Sequence, residues 1–445
     1  MKKKFHKTVK ESIMLEKLFK LKSHNTTKGQ EVIAGVTTFL TMSYIIFVNP
    51  NILGDVGMDK GALITVTALA AFLGTMLVGI WANVPFAMAP GMGLNAFFAY
   101  SLVIGEKVTW ETALGVVFIS GIFFLILTVL GIREKIIRAI PKELRISVAA
   151  GIGLFITFIG FQNMGLIAKH PVTLVTLGNF TTPVVLGLVG LVIIAALEVR
   201  RIKGSILIGI LTTTILGIIF GVINMPDKII SLPNSIAPVA FQLDILGALK
   251  WGLVGAIFSF MFVDLFDSIG TIMACSYEAG QVKEDGTIPK IDRMLEADAV
   301  ATVAGSLMGT STTTTYIESA SGIADGGRTG LTSVVTALLF LVALIFTPVI
   351  GIVPGFATAP ALVIVGVFMF KNIKNIDFTD FKAAIPSFLT IILMPLTYSI
   401  SMGLAFGFLS HIIITVSSGE FKKIHPVMWI IGVLSAVELV LKAIR

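Results

Sequence analysis

The chain has 445 residues, 55% of them hydrophobic and 13% charged, with 33 Lys and Arg against 26 Asp and Glu and a formal net charge of +7. Its mean hydropathy is +0.95, and a soluble domain carries about 25% charged residues, so the composition excludes a soluble globular protein. The basic residues sit in short links between apolar segments rather than on one basic face, which argues against nucleic acid as a partner, and the single cysteine, Cys275, excludes an internal disulfide framework and reads as a small packing residue.

Residues 1–30, MKKKFHKTVKESIMLEKLFKLKSHNTTKGQ, are basic, with apolar positions at helical spacing but no continuous apolar core. That pattern excludes a cleavable signal and predicts a cytoplasmic amphipathic segment on the inner leaflet. Apolar runs separated by turn residues then predict seven spans within 31–225, at 32–49, 62–82, 86–104, 112–132, 143–163, 182–198 and 205–223. Seven more follow within 245–418, at 249–276, 296–310, 312–325, 331–349, 358–371, 384–399 and 400–417. A bilayer core takes about 20 helical residues to cross, and barrel strands would give shorter alternating runs, so the expected fold is an all-α polytopic membrane protein with fourteen transmembrane segments. The last part, 419–445, holds an apolar stretch at 427–441 interrupted by Glu438. It reads as a cytoplasmic or surface segment, with a fifteenth span as the alternative.

Orientation follows from the basic links REKIIRAIPKELR, EVRRIKG, SYEAGQVKEDGTIPKIDR, DGGRTG and KNIKNIDFTDFK, which all fall on one side of this span count. Such links face the cytoplasm, so both termini are expected there and the protein in the cell membrane. The two halves resemble each other at an offset of about 220 residues, as PKELRISVAAGIGLFI from Pro141 does APALVIVGVFMF from Ala359. With an odd number of spans in each unit, the second copy enters the membrane upside down, as an inverted repeat.

Two segments at equivalent places in the halves are poor helices. VPFAMAPGMGLNAFFAYS concentrates Pro85, Pro90, Gly91 and Gly93, and GTSTTTTYIESASGIADGG opens on a threonine run. Extended backbone is tolerated at membrane depth only where it pairs internally or lines a wet cavity. Residues near 89–94 and 312–317, in spans 3 and 10, are therefore expected to pair as two short antiparallel strands, each followed by a half-helix. Interrupted spans in equivalent positions are the best sequence pointer to a transporter's binding site.

Asn95 closes the first break and Glu318 the second, so both are expected to face one cavity. Glu318 falls at the start of its half-helix, where the dipole favours a carboxylate while desolvation opposes its charge. Asp264 and Asp267, in FVDLFDSIGT, lie three residues apart on one helical face, and intramembrane charges face a bundle interior or a pathway. Each has a blander alternative: a hydrogen-bond anchor for either aspartate, a helix cap for Glu318, a turn residue for Asn95. Phe98 and Tyr316 flank the breaks and offer flat faces to a ligand, with ordinary packing as the alternative. Asp298 and Glu296 read as helix caps, and His411 as a packing residue.

Four stretches, AGVTTFLTMSYIIFVNP, APGMGLNAFF, FVDLFDSIGT and TTTTYIESASGIADGGRTG, together resemble the adenine/guanine/hypoxanthine permease branch of the nucleobase:cation symporter superfamily, which includes xanthine and uracil permeases. The resemblance implies fourteen spans in two inverted repeats, a core domain with the site and a gate domain of spans 5–7 and 12–14. It also implies proton-coupled uptake, often by a homodimer. Family roles fall on Asn95, Glu318 and the aspartates. Aligning DSIG with the ESIG of relatives gives the ligand carboxylate to Asp267, whereas other alignments give it to Asp264.

A purine base is flat and ringed by donors and acceptors, so it needs an apolar slot with a few fixed polar groups. The expected site is therefore substrate-binding Asn95, Asp264, Asp267, Glu318, Phe98 and Tyr316, with Asp264, Asp267 and Glu318 as candidates for proton coupling. Guanine and hypoxanthine suit an ionised Glu318 best, and adenine is the further candidate. No cofactor or metal is expected, because no His/Cys/Asp/Glu cluster has ligand spacing. The same lack argues against an intramembrane enzyme. A carrier of uracil or xanthine, or an anion carrier of the same architecture, is the rival reading.

Overall fold

The computed structural model describes residues 15–132, 136, 139–283 and 287–444, so residues 1–14 of the expected surface segment lie outside the described residues. Helices α1 (Lys28–Met42), α2 (Ile45–Gly54) and α3 (Lys60–Trp81) lead to strand β1 (Met88–Pro90), α4 (Met92–Ala96) and a π-helical continuation, Phe97–Gly105. After α5 (Trp110–Val129) and α6 (Lys142–Met164) come a hairpin of β2 (Ile167–His170) and β3 (Leu174–Leu177), then α7 (Thr182–Val199) and α8 (Ser205–Ile219). The second half runs α9 (Val254–Glu278), α10 (Ile291–Met308), β4 (Thr313–Thr315), α11 (Ser319–Ala324), α12 (Gly330–Ala343, continued to Gly351), α13 (Gly355–Phe370), α14 (Phe381–Leu396), α15 (Ile400–Ser417) and α16 (Pro426–Ile444). Among the described residues ten helical segments are long and apolar enough to cross a membrane, and three more are apolar but shorter. Large apolar side chains such as Val192, Val199, Ile219, Phe388 and Leu396 stay exposed on outward faces. That surface suits hydrocarbon rather than water.

The helices sort into two sets. One packs α1, α2, α3, α5, α9, α10 and α12 around the strands; the other packs α6, α7, α8, α13, α14 and α15 on one another. At one end hydrogen bonds join the sets, where Asn163 donates to the Tyr100 hydroxyl at 3.0 Å and Ser101 to the Tyr398 carbonyl at 3.1 Å; within the sets, Tyr100 donates to Asp55 and Tyr398 to Gln162, each at 2.7 Å. At the other end Asp325 accepts from Thr37 at 2.6 Å and pairs with Lys203.

The strands expected in spans 3 and 10 are present and antiparallel, with Met88 opposite Thr315, Ala89 opposite Thr314 and Pro90 opposite Thr313. The pairing continues past both strand ends, where Gly91 N–H donates to the Thr312 carbonyl and Tyr316 N–H to the Ala87 carbonyl, each at 2.9 Å. Side chains satisfy the outer edges: Thr75 bonds both N–H and C=O of Met88 at 2.9 Å, and Thr302 donates to the Thr313 carbonyl at 3.0 Å. Pro90 has no N–H to lose. At Gly91 a Cβ would stand 2.5 Å from Thr314 Cγ2, so the close approach of the two segments requires glycine there.

The C-terminal segment departs from the expectation of a surface element with both termini on one face. Asn83, before β1, donates to the Phe19 carbonyl at 3.1 Å, whereas Glu106, after the same span, pairs with Lys442 at 3.0 Å. One strand and its following helix separate Asn83 from Glu106, roughly 30 Å at strand and helix rises. The first and last described residues therefore lie at opposite ends of the bundle. Lys442 also reaches Ser401 at 3.1 Å at the start of α15, so α16 runs antiparallel along all of α15. The interruption that suggested a surface helix, Glu438, is answered one turn later by Lys442 at 3.6 Å. The N-terminal stretch is also more than a surface helix, because Phe19 and Leu21 bury themselves against Leu331.

Two outcomes check this architecture. Gly91→Ala lowers the melting temperature of the detergent-purified protein, by an overpacking penalty of about 1–3 kcal/mol, and adding Thr314→Ser, which removes the opposing methyl, recovers much of it. In a Cys275→Ser background, Lys22→Cys and Ala443→Cys react with an impermeant maleimide from opposite faces of sealed vesicles; labelling from the same face would contradict the course of α16.

Candidate functional site

The break at β1 and β4 positions the site because each strand hands directly to a short helix. Asn95 lies in the single turn of α4 and is fully buried. Its amide nitrogen reaches the Pro90 carbonyl at 3.4 Å, and the Tyr316 hydroxyl donates to that same carbonyl at 2.5 Å. Asn95 Oδ1 has no hydrogen-bond partner among the described residues, so the amide keeps an acceptor for a ligand.

Glu318 is the residue immediately before α11, yet its side chain makes no capping bond to that helix. The cap alternative is thereby excluded. Its Oε1 instead accepts from the Tyr44 hydroxyl at 2.5 Å, and its backbone carbonyl is 3.4 Å from Thr41 Oγ1. Asp267, from α9, accepts from Thr314 Oγ1 at 3.2 Å, which ties it to the strand. Asp267, Tyr316 and Glu318 lie within electrostatic range of one another. Both Asp267 and Glu318 keep part of their surface accessible, unlike the fully buried Asn95.

The structure thus gathers Asn95, Tyr316, Asp267 and Glu318 around the paired strands. Asp264 sits one turn earlier on α9 and is 2% exposed. Phe98 is fully buried, so its ring presents no open face in this conformation; the neighbouring Phe97 stacks on Phe260 with centroids 4.4 Å apart. Asp298, expected as a cap, lies inside α10, fully buried, and accepts from Ser268 at 2.6 Å. Glu296 accepts from the Trp81 indole at 3.1 Å rather than capping. A cavity of about 310 Å³ lies elsewhere, between α6, α14 and α15, lined by Glu143, Asp377, Asp380, Lys382 and His411.

Tyr44 is the residue that the sequence did not single out. It occupies the two-residue break, Ser43 and Tyr44, between α1 and α2. The available signal was Pro50 in the same span, which removes a helical hydrogen bond, together with the one phenol of a run whose other aromatics are Phe39 and Phe47.

Comparison with known proteins places this arrangement. A family model described as "Permease family" (Xan_ur_permease) matches residues 29–406. The adenine permease AdeP of Escherichia coli is 44% identical over 428 residues, covering 96% of each chain. The guanine/hypoxanthine permease PbuG of Bacillus subtilis is 44% identical over 427 residues, 93% of this chain and 97% of that one. Among solved structures, the transmembrane domain of the cyanobacterial bicarbonate transporter BicA has the same fold, with a TM-score of 0.66 at 16% identity over 84% of this chain and 97% of that one. The chain is a multi-pass membrane protein and belongs to this permease family, the nucleobase:cation symporter superfamily, in its adenine and guanine/hypoxanthine permease branch.

Proposed function

We propose that this protein imports purine nucleobases across the cytoplasmic membrane by proton symport, with guanine and hypoxanthine preferred and adenine as a further substrate. The observation that carries the reading is the meeting of two carboxylates, Asp267 and Glu318, with the acceptor-bearing amide of Asn95 at the paired strands. The names of the relatives support it, since they include permeases for adenine and for guanine and hypoxanthine. In this reading the fourteen spans form two inverted repeats, the strand-bearing set of helices is the core domain, and the other set is the gate.

The chemistry follows from the groups. Guanine offers N1–H and an exocyclic amine side by side, which the two oxygens of an ionised Glu318 accept together; hypoxanthine offers N1–H alone. Asn95 supplies an amide that can pair with the ring's remaining donors and acceptors. A site built this way rejects analogues lacking those groups, because its own buried polar atoms go unpaired. A second carboxylate beside Glu318 adds like-charge repulsion in a poorly solvated place. A proton taken by Asp267 from outside removes that repulsion and lets the base and proton travel together. Asp264, on the same face of α9, is the alternative proton carrier or base ligand once the site opens.

The BicA-like fold makes an anion carrier the rival. The cluster weighs against it, because two carboxylates face the strand break with no Arg or Lys among their described hydrogen-bond partners. Uptake into proteoliposomes decides between them: labelled guanine enters saturably, unlabelled guanine and hypoxanthine compete more strongly than uracil or sulfate, and a protonophore prevents accumulation. Glu318→Ala lowers guanine uptake at least about a hundredfold at matched protein amount, the scale of losing two hydrogen bonds to a charged group. Asp267→Asn retains guanine binding but no longer accumulates guanine against a gradient. Sulfate uptake unaffected by guanine would overturn the reading.

A further inference from the structure

We infer that Tyr44 is a positioning residue of the base site: it holds the Glu318 carboxylate in one orientation and so sets the preference for bases that present two adjacent donors. The inference rests on the purine reading above and adds to it a residue from the first span.

The geometry is specific. Tyr44 is fully buried, and its hydroxyl donates to Oε1 of Glu318 at 2.5 Å. The chain around Tyr44 is anchored through α1, which is seated against α11. A Cβ at Gly322 would stand 2.1 Å from Thr38 Oγ1 and 2.5 Å from the Ala34 carbonyl, so only glycine allows that approach. Thr41, whose hydroxyl bonds the Thr38 carbonyl at 2.9 Å, also lies 3.4 Å from the Glu318 carbonyl, in the turn before the break. The phenol is therefore fixed relative to the carboxylate by helix packing rather than by the hydrogen bond alone.

A carboxylate on a Glu side chain rotates freely about its last bond unless something fixes it. Each oxygen has two acceptor directions. Tyr44 occupies one direction on Oε1, and an ionised carboxylate has acceptor directions on both oxygens to offer a base. A base with two parallel N–H donors needs both oxygens held in its own plane, whereas a base with one donor binds a rotated carboxylate nearly as well. Fixing the plane thus favours guanine, with N1–H and its amine, over hypoxanthine, with N1–H alone. Tyr316, the other phenol near Glu318, cannot substitute, because its hydroxyl is committed to the Pro90 carbonyl.

The test is Tyr44→Phe, which removes the hydroxyl and keeps the ring, with Tyr44→Met as a second donor-free variant if the first is poorly recovered. Tyr398→Phe is the control, since it deletes another phenol hydroxyl, one bonded to Gln162 away from the cluster. Competition for uptake is measured with guanine, hypoxanthine and adenine at matched protein amounts. The expected result is a rise in guanine KM of about tenfold, the size of one charge-assisted hydrogen bond, with hypoxanthine KM rising less than about threefold and maximal guanine rate near wild type. Tyr398→Phe leaves the ratio of the two KM values unchanged. Equal changes for all bases, or none, would overturn the inference and leave Tyr44 a packing residue. Wild-type protein that takes up none of the three bases would instead overturn the functional reading itself.

Discussion

Everything at the site depends on how two stretches of non-helical backbone are kept satisfied inside an apolar bundle. An unpaired N–H or C=O there costs several kcal/mol, and here the cost is avoided by pairing Met88–Pro90 with Thr313–Thr315. Proline and glycine on one side and threonines on the other make the pairing feasible: Pro90 brings no donor, Gly91 brings no side chain, and threonine tolerates extended backbone. Thr75 and Thr302 then bond the strand edges. Because the strands are antiparallel and only three residues long, the helices that follow leave from opposite ends of one short ladder, and Asn95 and Tyr316, far apart in sequence, meet at the Pro90 carbonyl.

The polar groups around this break are arranged in linked pairs. Asn95 and Tyr316 share the Pro90 carbonyl, Thr314 holds Asp267, and Tyr44 holds Glu318. Strand, α9 and the break in the first span thus each fix one of the candidate site groups. All of these residues belong to one of the two helix sets, while Tyr398 and Asn163 of the other set reach across near one end of the bundle and Lys203 pairs with Asp325 near the other. A site carried on one rigid unit, facing a second unit to which it is joined by a few polar contacts, is the arrangement that lets a carrier expose the same groups to either side by moving one unit against the other.

Much of this was legible in the sequence, for identifiable reasons. Runs such as 400–417 and 62–82 are apolar throughout and bounded by turn residues, and the helices Ile400–Ser417 and Lys60–Trp81 follow them closely. The strands were legible because Pro90, Gly91 and four consecutive threonines are poor helix formers in otherwise helical surroundings. What escaped was set by tertiary contacts. Tyr44 looks like any aromatic in a span until its partner is known. Asp298 resembled a cap because the helix begins earlier, at Ile291, than hydropathy suggested. The β2–β3 hairpin, in KHPVTLVTL, is turned by His170, whose ring nitrogen accepts from Val172 and Thr173. Helix α16 was obscured by Glu438, although Lys442 four residues on was a visible sign of compensation.

The most direct test is an experimental structure of the protein with guanine bound. Density for the base beside the ends of the two strands, with its N1 and exocyclic amine within hydrogen-bond distance of Glu318 and its ring edge near Asn95, is the predicted result. Guanine bound instead in the hollow lined by Glu143, Asp380 and His411, with Glu318 still held by Tyr44 and untouched, would contradict it.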